Sequence, residues 1–306
     1  MVEKFIEKIK SDSFLSLEVT PPHGATLDKI ISKIDSLGLN SLFDGFSTTD
    51  NPLARLKYDS MFSALKLQQT FKKACICTMS MRDRNKIALQ SDLLGMNDFD
   101  LRAILALTGD PAKASDQPNA KSVNEGRSTL LLDIIKCFNS GIDYSGKPFK
   151  NPPKQIYPFA VTNAYSKNSK NIYKNIRLKL SHGAKVIISQ PVYDVQNAKM
   201  LMEIFEEAKK DTPFLDYNPK LVIGFFPITR LRTAQFLNSH VPGIYVPKLW
   251  SEKLSVAKDR SSDDEFKAGL ELSVKTFKEL YKAGKKIHFM SANHFEIVKE
   301  ILEVSL

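Results

Sequence analysis

The stretch FLSLEVTPPHG, residues 14–24, decides how the rest of the chain is read. Its first half is an extended-type run whose apolar side chains, Phe14, Leu15, Leu17 and Val19, fall on both faces of a strand. A strand that is apolar on both faces suits a parallel sheet covered by helices better than a half-wetted antiparallel one. Pro21 and Pro22 end the run. Glu18 is the anomaly: an acid set near the end of an otherwise apolar strand.

Seven more runs share this character: SLFDGFST (41–48), ACICTMS (74–80), LRAILALTG (101–109), YPFAVT (157–162), KVIISQPV (185–192), LVIGFFP (221–227) and KIHFMSA (286–292). Segments with helical spacing lie between them. Leu27, Ile30, Ile31 and Ile34 recur at i, i+3, i+4 and i+7, as do Leu201, Ile204, Phe205 and Ala208. Eight strands alternating with helices predict an α/β fold, a (β/α)8 barrel, as a single domain over residues 1–306. An open doubly wound sheet is the second choice, and its glycine fingerprint after the first strand is absent. A short run, GIYVPKLW (243–250), does not fit the count; it is placed before a long final helix near 262–283. Two long connections, residues 108–127 and 139–155, are expected to be lids, binding loops or surface insertions.

The composition is that of a globular protein, with 42% hydrophobic and 25% charged residues. The net charge of +10 favours anionic small molecules, but the lysines are dispersed, which argues against a nucleic-acid tail. No apolar run approaches the length of a bilayer span, and the N-terminus lacks a signal-peptide core. Cys75, Cys77 and Cys137 form neither a zinc pattern nor a disulfide framework, and reduced cytoplasmic thiols are expected. The five histidines show no metal-like spacing, so no metal site is assigned.

In a barrel of this type the chemistry collects at the C-terminal ends of the strands. The polar residues that fall there are Glu18; Ser47, Thr48 and Asp50; Arg82, Asp83 and Arg84; Thr108, Gly109 and Asp110; Thr162 and Asn163; and Gln190. Taken singly, each has a plain explanation: an N-cap, a turn, a solvated charge cluster in RDRN, or a rim ion pair for Glu18. Together they mark one rim. A carboxyl at a sheltered barrel mouth would hold its proton more tightly, which makes Glu18 a candidate general acid.

The ordered motifs SLEVTPP, MRDRNKIALQSDLLG, ILALTGDPAK, GIDYSGKPF, GAKVIISQPVYD and VPGIYVP together resemble methylenetetrahydrofolate reductases. They are most similar to the reductase half of bifunctional homocysteine methyltransferase/methylenetetrahydrofolate reductases. The resemblance runs from about Phe14 to the end, and no zinc-binding methyltransferase half accompanies it.

The resemblance implies hydride transfer from NADH or NADPH, through FAD, to 5,10-methylenetetrahydrofolate. It implies Glu18 as proton donor, and Asp110, Gln190 and His294 as folate-side residues. It also implies a cofactor set of Ser47, Thr48, Asp50, Thr78, Thr108, Gly109, Asp110, Asn163, Asn175 and Lys179. A homo-oligomer is usual in the family.

Departures from the single-domain bacterial pattern cluster on the flavin side. Thr78 stands for a histidine, Thr108 for an arginine, Asn124 for a tyrosine, and Phe159 and Asn163 for a tyrosine and a histidine. On the folate side, His294 stands for an arginine and Leu231 lies near a stacking aromatic. They leave FAD binding and the nicotinamide donor open. The alternatives are direct hydride transfer without flavin, a pterin-binding methyltransferase or demethylase, and a non-catalytic folate-binding subunit.

Overall fold

The computed structural model describes every residue except 124, 214, 216 and 242. Its strands are β1 (Phe14–Val19), β2 (Gly45–Thr48), β3 (Cys75–Ser80), β4 (Ala103–Leu107), β5 (Tyr157–Thr162), β6 (Val186–Pro191), β7 (Lys220–Phe225) and β8 (Lys286–Phe289). All neighbours pair in parallel, and β8 pairs with β1, so the sheet closes into an eight-stranded barrel in chain order. The expected (β/α)8 architecture is present.

The helices are α1 (Val2–Lys10), α2 (Asp28–Ser36), α3 (Leu39–Leu42), α4 (Ser60–Phe71), α5 (Lys86–Asp98), α6 (Ser128–Asn139), α7 (Ser169–Ser181), α8 (Val195–Lys210), α9 (Leu231–His240), α10 (Lys248–Arg260), α11 (Ser262–Gly284) and α12 (Phe295–Ser305). Three details differ from the sequence reading. The 41–48 run begins as the short helix α3, and only residues 45–48 pair as a strand. The 243–250 run is a loop that enters α10 at Lys248, so three helices, α9, α10 and α11, lie between β7 and β8. The long helix at 262–284 is followed by β8 and α12 and is not the last element.

Strand alternation sorts the side chains into two sets. Leu15, Leu17, Val19, Cys75, Cys77, Met79, Ile104, Ala106, Ile187, Ile223, Phe225, Ile287 and Phe289 join the buried layer between strands and helices. Phe14, Ile76, Ala103, Leu105, Phe159, Val186, Ile188 and Val222 form a second cluster inside the barrel. This double burial is why the strands read as apolar on both faces. Cys75 and Cys77 are wholly buried in the first set, and burial pushes both thiols up, away from the reactive thiolate.

The barrel bottom is closed by α1, which sequence periodicity did not single out. Val2, Phe5, Ile6 and Ile9 enter the inner cluster, and the Phe5 ring meets Phe14 edge-on at 5.3 Å. Gly45 makes room for this plug: a Cβ there would lie 2.4 Å from the Phe5 ring and 2.7 Å from the Ala74 carbonyl. The plug is latched by the buried Arg102, which bonds Glu3 and Asp100 and donates to the Gln155 carbonyl at 2.8 Å. The Arg102 hydrogen bond holds the Glu3 carboxyl down at about 2, so the latch stabilises the fold fully above the ordinary value of 4.5 and loses that contribution progressively as pH falls from there through about 2.

Phe5→Ala removes a buried ring that the surroundings cannot refill, and is expected to cost about 3–5 kcal/mol in denaturant unfolding.

Candidate active site

At the opposite end of the barrel the inward positions change character. One cavity of about 380 Å3 opens there, within the range of small-molecule sites. Leu105, Val161, Ile188 and Met290 give it apolar walls, while Glu18, Thr78, Thr108, Asp110, Lys179, Gln190 and His288 supply polar groups. These residues come from β1, β3, β4, β5, β6, β8 and α7 or the loops that follow them, so closure of the sheet brings together side chains scattered over the sequence.

Glu18 is inward-facing near the end of β1, with its side chain 23% exposed. Its Oε2 lies 3.8 Å from Nε2 of His288, which replaces the rim lysine or arginine considered from sequence. His288 is buried on β8; its Nδ1 is 2.8 Å from the Ser16 hydroxyl and its Nε2 is 3.3 Å from the Ser47 hydroxyl. Ser47 thus sits below the cavity as a partner of His288.

Lys179 reaches the cavity from α7 and donates to the Val161 carbonyl. Burial pushes its amine down to about 8. Asp110 follows Gly109, whose φ of +87° is a left-handed conformation that glycine adopts without strain. Asp110 Oδ2 accepts the Leu53 N–H at 2.7 Å. The loop carrying Leu53 holds three non-glycine residues with positive φ, Asn51, Leu53 and Ala54, and is fastened by Ser115 Oγ donating to the Ala54 carbonyl at 2.6 Å. Thr108 Oγ1 accepts the Ser128 N–H at the start of α6, at 3.3 Å.

Asp50 lines the same cavity but is largely occupied. Its Oδ2 accepts from Ser80 N–H at 2.8 Å and from Arg84 Nη1 at 2.7 Å, while Oδ1 is buried with no partner among the described residues. Arg84 also contacts Asp59 at 3.4 Å and Asp92 at 3.1 Å. Burial by itself would lower the guanidinium, and the three carboxylates outweigh it and hold it above its ordinary value. RDRN is therefore not a solvated cluster: Arg82 and Arg84 are largely buried, and Asn85 caps α5 by accepting the Ala88 N–H at 2.9 Å. Thr48 turns away from the cavity, and its hydroxyl donates to the Ser60 carbonyl at 3.0 Å.

Other sequence candidates lie apart from the cavity wall. Asn163 is exposed at the end of β5, against Gly243. Asn175 is exposed on α7, and His294 is exposed at the head of α12. Leu231 starts α9 and packs in a separate cluster with Ile228 and Trp250. Phe159 is buried inside the barrel. Asn124 lies outside the described residues. Among the described residues no group of His, Cys, Asp and Glu could hold a metal ion.

The methylenetetrahydrofolate reductase family profile matches residues 2–305. The chain belongs to the methylenetetrahydrofolate reductase family. Methylenetetrahydrofolate reductase 1 of Schizosaccharomyces pombe is 28% identical over 211 residues, covering 66% of this chain and 30% of that protein. The match therefore takes in less than a third of that relative's length. A protein from Clostridium thermocellum, solved with two copies of 5-methyl-5,6,7,8-tetrahydrofolic acid, aligns at a TM-score of 0.62 and 16% identity over 98% of both chains. An F420-dependent secondary alcohol dehydrogenase aligns at 0.60 and 12% identity, over 97% of this chain and 100% of its own. At such identities these two share the fold alone.

Two site features escaped the sequence reading of this family member. His288 passed as one histidine among five, although its place two residues before Met290 on an inward-facing register carried the signal. The Arg84 cage joins residues from separate loops, and no local pattern announces it.

Arg84→Met leaves Asp50 buried without its cation, and is expected to cost about 3–5 kcal/mol in chemical denaturation.

Proposed function

We propose that this chain reduces 5,10-methylenetetrahydrofolate to 5-methyltetrahydrofolate, with NADH or NADPH as the hydride source. The observation that carries the reading is the convergence of Glu18, Asp110 and Gln190 on one cavity in a member of this family. The reaction has two demands. The methylene bridge must open, which needs a proton on N10 of the folate. The N5 iminium so formed must then meet a hydride in a place sheltered from bulk water.

Glu18 is suited to the first demand. Its carboxyl projects from the barrel wall into the cavity and can deliver a proton to N10, becoming a carboxylate. Asp110 suits the paired N–H donors of a pterin's amino-pyrimidinone edge, since a carboxylate accepts two parallel hydrogen bonds. Gln190 offers an amide that both donates and accepts across the same cavity. The walls from Leu105, Val161, Ile188 and Met290 provide an apolar bed for a flat heterocycle and exclude water from its face.

The site also fits a phosphate-bearing cofactor. The buried Lys179 amine has a backbone carbonyl as its hydrogen-bond partner, and an anion would complete its environment. Thr78, Thr108 and Gly109 line the same wall and would hold FAD with Lys179. When bound, FAD supplies a two-electron carrier between the nicotinamide and the folate. The reading extends to a reduced, cytoplasmic protein that works as a homo-oligomer. Its free, buried Cys75 and Cys77 agree with a reducing compartment. Among the described residues no helix is long and apolar enough to cross a membrane.

Purified protein mixed with FAD is expected to retain absorbance near about 450 nm after desalting, and anaerobic NADH or NADPH oxidation is expected to depend on added methylenetetrahydrofolate. Oxidation without retained colour would assign the direct-transfer variant. Methyl exchange with a thiol or corrinoid and no oxidation would replace the reductase with a methyltransferase, and tight folate binding without turnover would leave a binding subunit. Glu18→Gln is expected to lower folate-dependent turnover by at least ~100-fold and to leave reduction of the flavin by nicotinamide intact. Because Lys179 loses its charge above about 8, FAD affinity is expected to fall as pH rises through that value. Lys179→Arg, which stays charged, should flatten that dependence in equilibrium titrations.

A further inference from the structure

We propose that the outer face of α7, together with the rim at Tyr165 and Tyr245, binds single-stranded nucleic acid through its phosphates and its unpaired bases. This surface is independent of the reductase reading.

The lysines are spread along the sequence, but the acids are not. Residues 144–193 hold nine Lys and Arg residues and no Asp or Glu. The segment thus carries +9 of the net +10, and the rest of the chain is close to neutral. It runs from the loop before β5, through α7, to just past β6, so the fold gathers this charge on one side of the barrel. A basic stripe along a helix, in a chain with an isoelectric point of about 9.3, is the electrostatic footprint of a nucleic-acid surface.

Lys170, Lys174 and Arg177 recur at i, i+4 and i+7 and form one exposed stripe on α7, with Lys167 just ahead of it at the rim end. α7 has no acidic residue of its own. Asp211 and Asp133, from neighbouring elements, are taken by the Tyr173 hydroxyl and by His182, both at 2.7 Å. Among the described residues none of the four cations is in an ion pair, and Arg177 Nε donates to the main-chain carbonyl of Asp211 at 3.2 Å.

The three helix cations span about 10 Å, the axial length of about three phosphates on one strand. Asn171, Asn175 and Ser181 stand exposed beside them, and such amides and hydroxyls also donate to phosphate oxygens. The apolar face of α7, with Ile172, Ile176 and Leu180, is buried in the fold, so it is not available to a membrane. Leu178 is the large apolar side chain that α7 exposes, and the stripe lacks the aromatic and methionine anchors of a protein–protein interface.

A second observation lies at the rim end of the stripe. The Tyr165 and Tyr245 rings stack with centroids 4.9 Å apart and planes 27° apart, and both are partly open to solvent. Their loops are fastened together. The Ala164 and Tyr165 N–H groups both donate to the Gly243 carbonyl at 2.9 Å, and a Cβ on Gly243 would lie 2.4 Å from Asn163 Cγ. The buried Ile244 and Val246 anchor the loop on either side of Tyr245. A tyrosine pair fixed in this way offers a flat face to an unpaired base, and any base serves because each has a π face. Tyr165 is two residues from Lys167, so the stacking face and the phosphate track meet at the head of α7. A duplex keeps its bases paired and could use the track alone; the combination selects a single strand.

The test uses the full chain, without folate or cofactor, and fluorescein-labelled RNA and DNA strands of about 12 nucleotides, read by anisotropy. Binding is expected, with log K falling against log salt at a slope near about −3, roughly 0.7 for each of four phosphates held. Lys170→Glu, Lys174→Glu and Arg177→Glu combined should weaken binding at least ~10-fold and reduce the slope by about 2. Tyr165→Ala with Tyr245→Ala should weaken it about 5- to 100-fold and leave the slope unchanged. The same charge reversal on α11, Lys275→Glu, Lys278→Glu and Lys282→Glu, should cost less than about threefold, because exposed charges more than a Debye length away are screened. A preference for RNA would assign the ligand through its 2′-hydroxyls, and equal affinity would assign the backbone common to both strands.

Absence of binding at about 50 mM salt would overturn the proposal. So would an equal loss from the α11 reversal, which would mark net charge alone. Displacement of the strand by poly-L-glutamate at equal charge concentration would assign the stripe to an acidic protein, and binding to phosphatidylserine vesicles in place of the strand would assign it to a membrane. Circular dichroism checks that each variant is folded; should the tyrosine double variant fail to fold, Tyr245→Ala alone decides on the same readout.

Discussion

Closure of the sheet is the constraint from which the rest follows. With β8 hydrogen-bonded to β1, every strand has an inner and an outer row of side chains, and the inner rows of all eight converge on a narrow axis. The lower part of that axis is filled by Phe14, Ile76, Phe159 and the α1 plug. The upper part departs from this packing: Glu18, Thr78, Gln190 and His288 take inward positions that an apolar layer could have filled. A protein gives up stabilising burial at such positions at a cost in folding free energy, so a polar upper layer marks a site for ligand chemistry.

The polar layer depends on supports that do not themselves face the cavity. Arg84 gathers Asp50, Asp59 and Asp92 and so ties the loop after β2 to the heads of α4 and α5. Asp59 also accepts from the Met61 and Phe62 N–H groups and caps α4. Thr48 joins β2 to Ser60. These bonds fix the loops on which the rim residues stand: the barrel supplies the geometry and the loops supply the chemistry.

Much of this was legible in the sequence. Double-sided apolar runs bounded by Pro or Gly gave the strands, because burial of both faces leaves a near-continuous apolar run in place of an alternation. Glu18 and Gln190 stood out as polar residues at the ends of such runs. What the sequence withheld has physical causes. The 41–48 run mixes α3 with β2, because four residues of pairing are too few to impose a period. The α1 plug reads as an ordinary amphipathic segment, since its partner surface is assembled only when the barrel closes. Asn163, Asn175 and His294 came from resemblance and stand at exposed positions outside the cavity wall, because a motif match carries residue type but not side-chain direction. His288 was overlooked because its partners, Ser16 and Ser47, are distant in the chain.

The Leu53–Asp110 contact has an energetic corollary. The protein's own main chain bonds this cavity-lining acid, so one of its oxygens already has an internal partner. A ligand that takes this carboxylate exchanges one N–H for another and gains little from that bond alone. The arc through Asn51, Leu53 and Ala54, however, holds Leu53 and Ala54 in left-handed geometry that their side chains disfavour, at roughly 1–3 kcal/mol each, while Asn51 adopts it readily. Relaxation of that arc on release would contribute to occupancy from outside the ligand's own contacts, and tight association could then coexist with few direct hydrogen bonds.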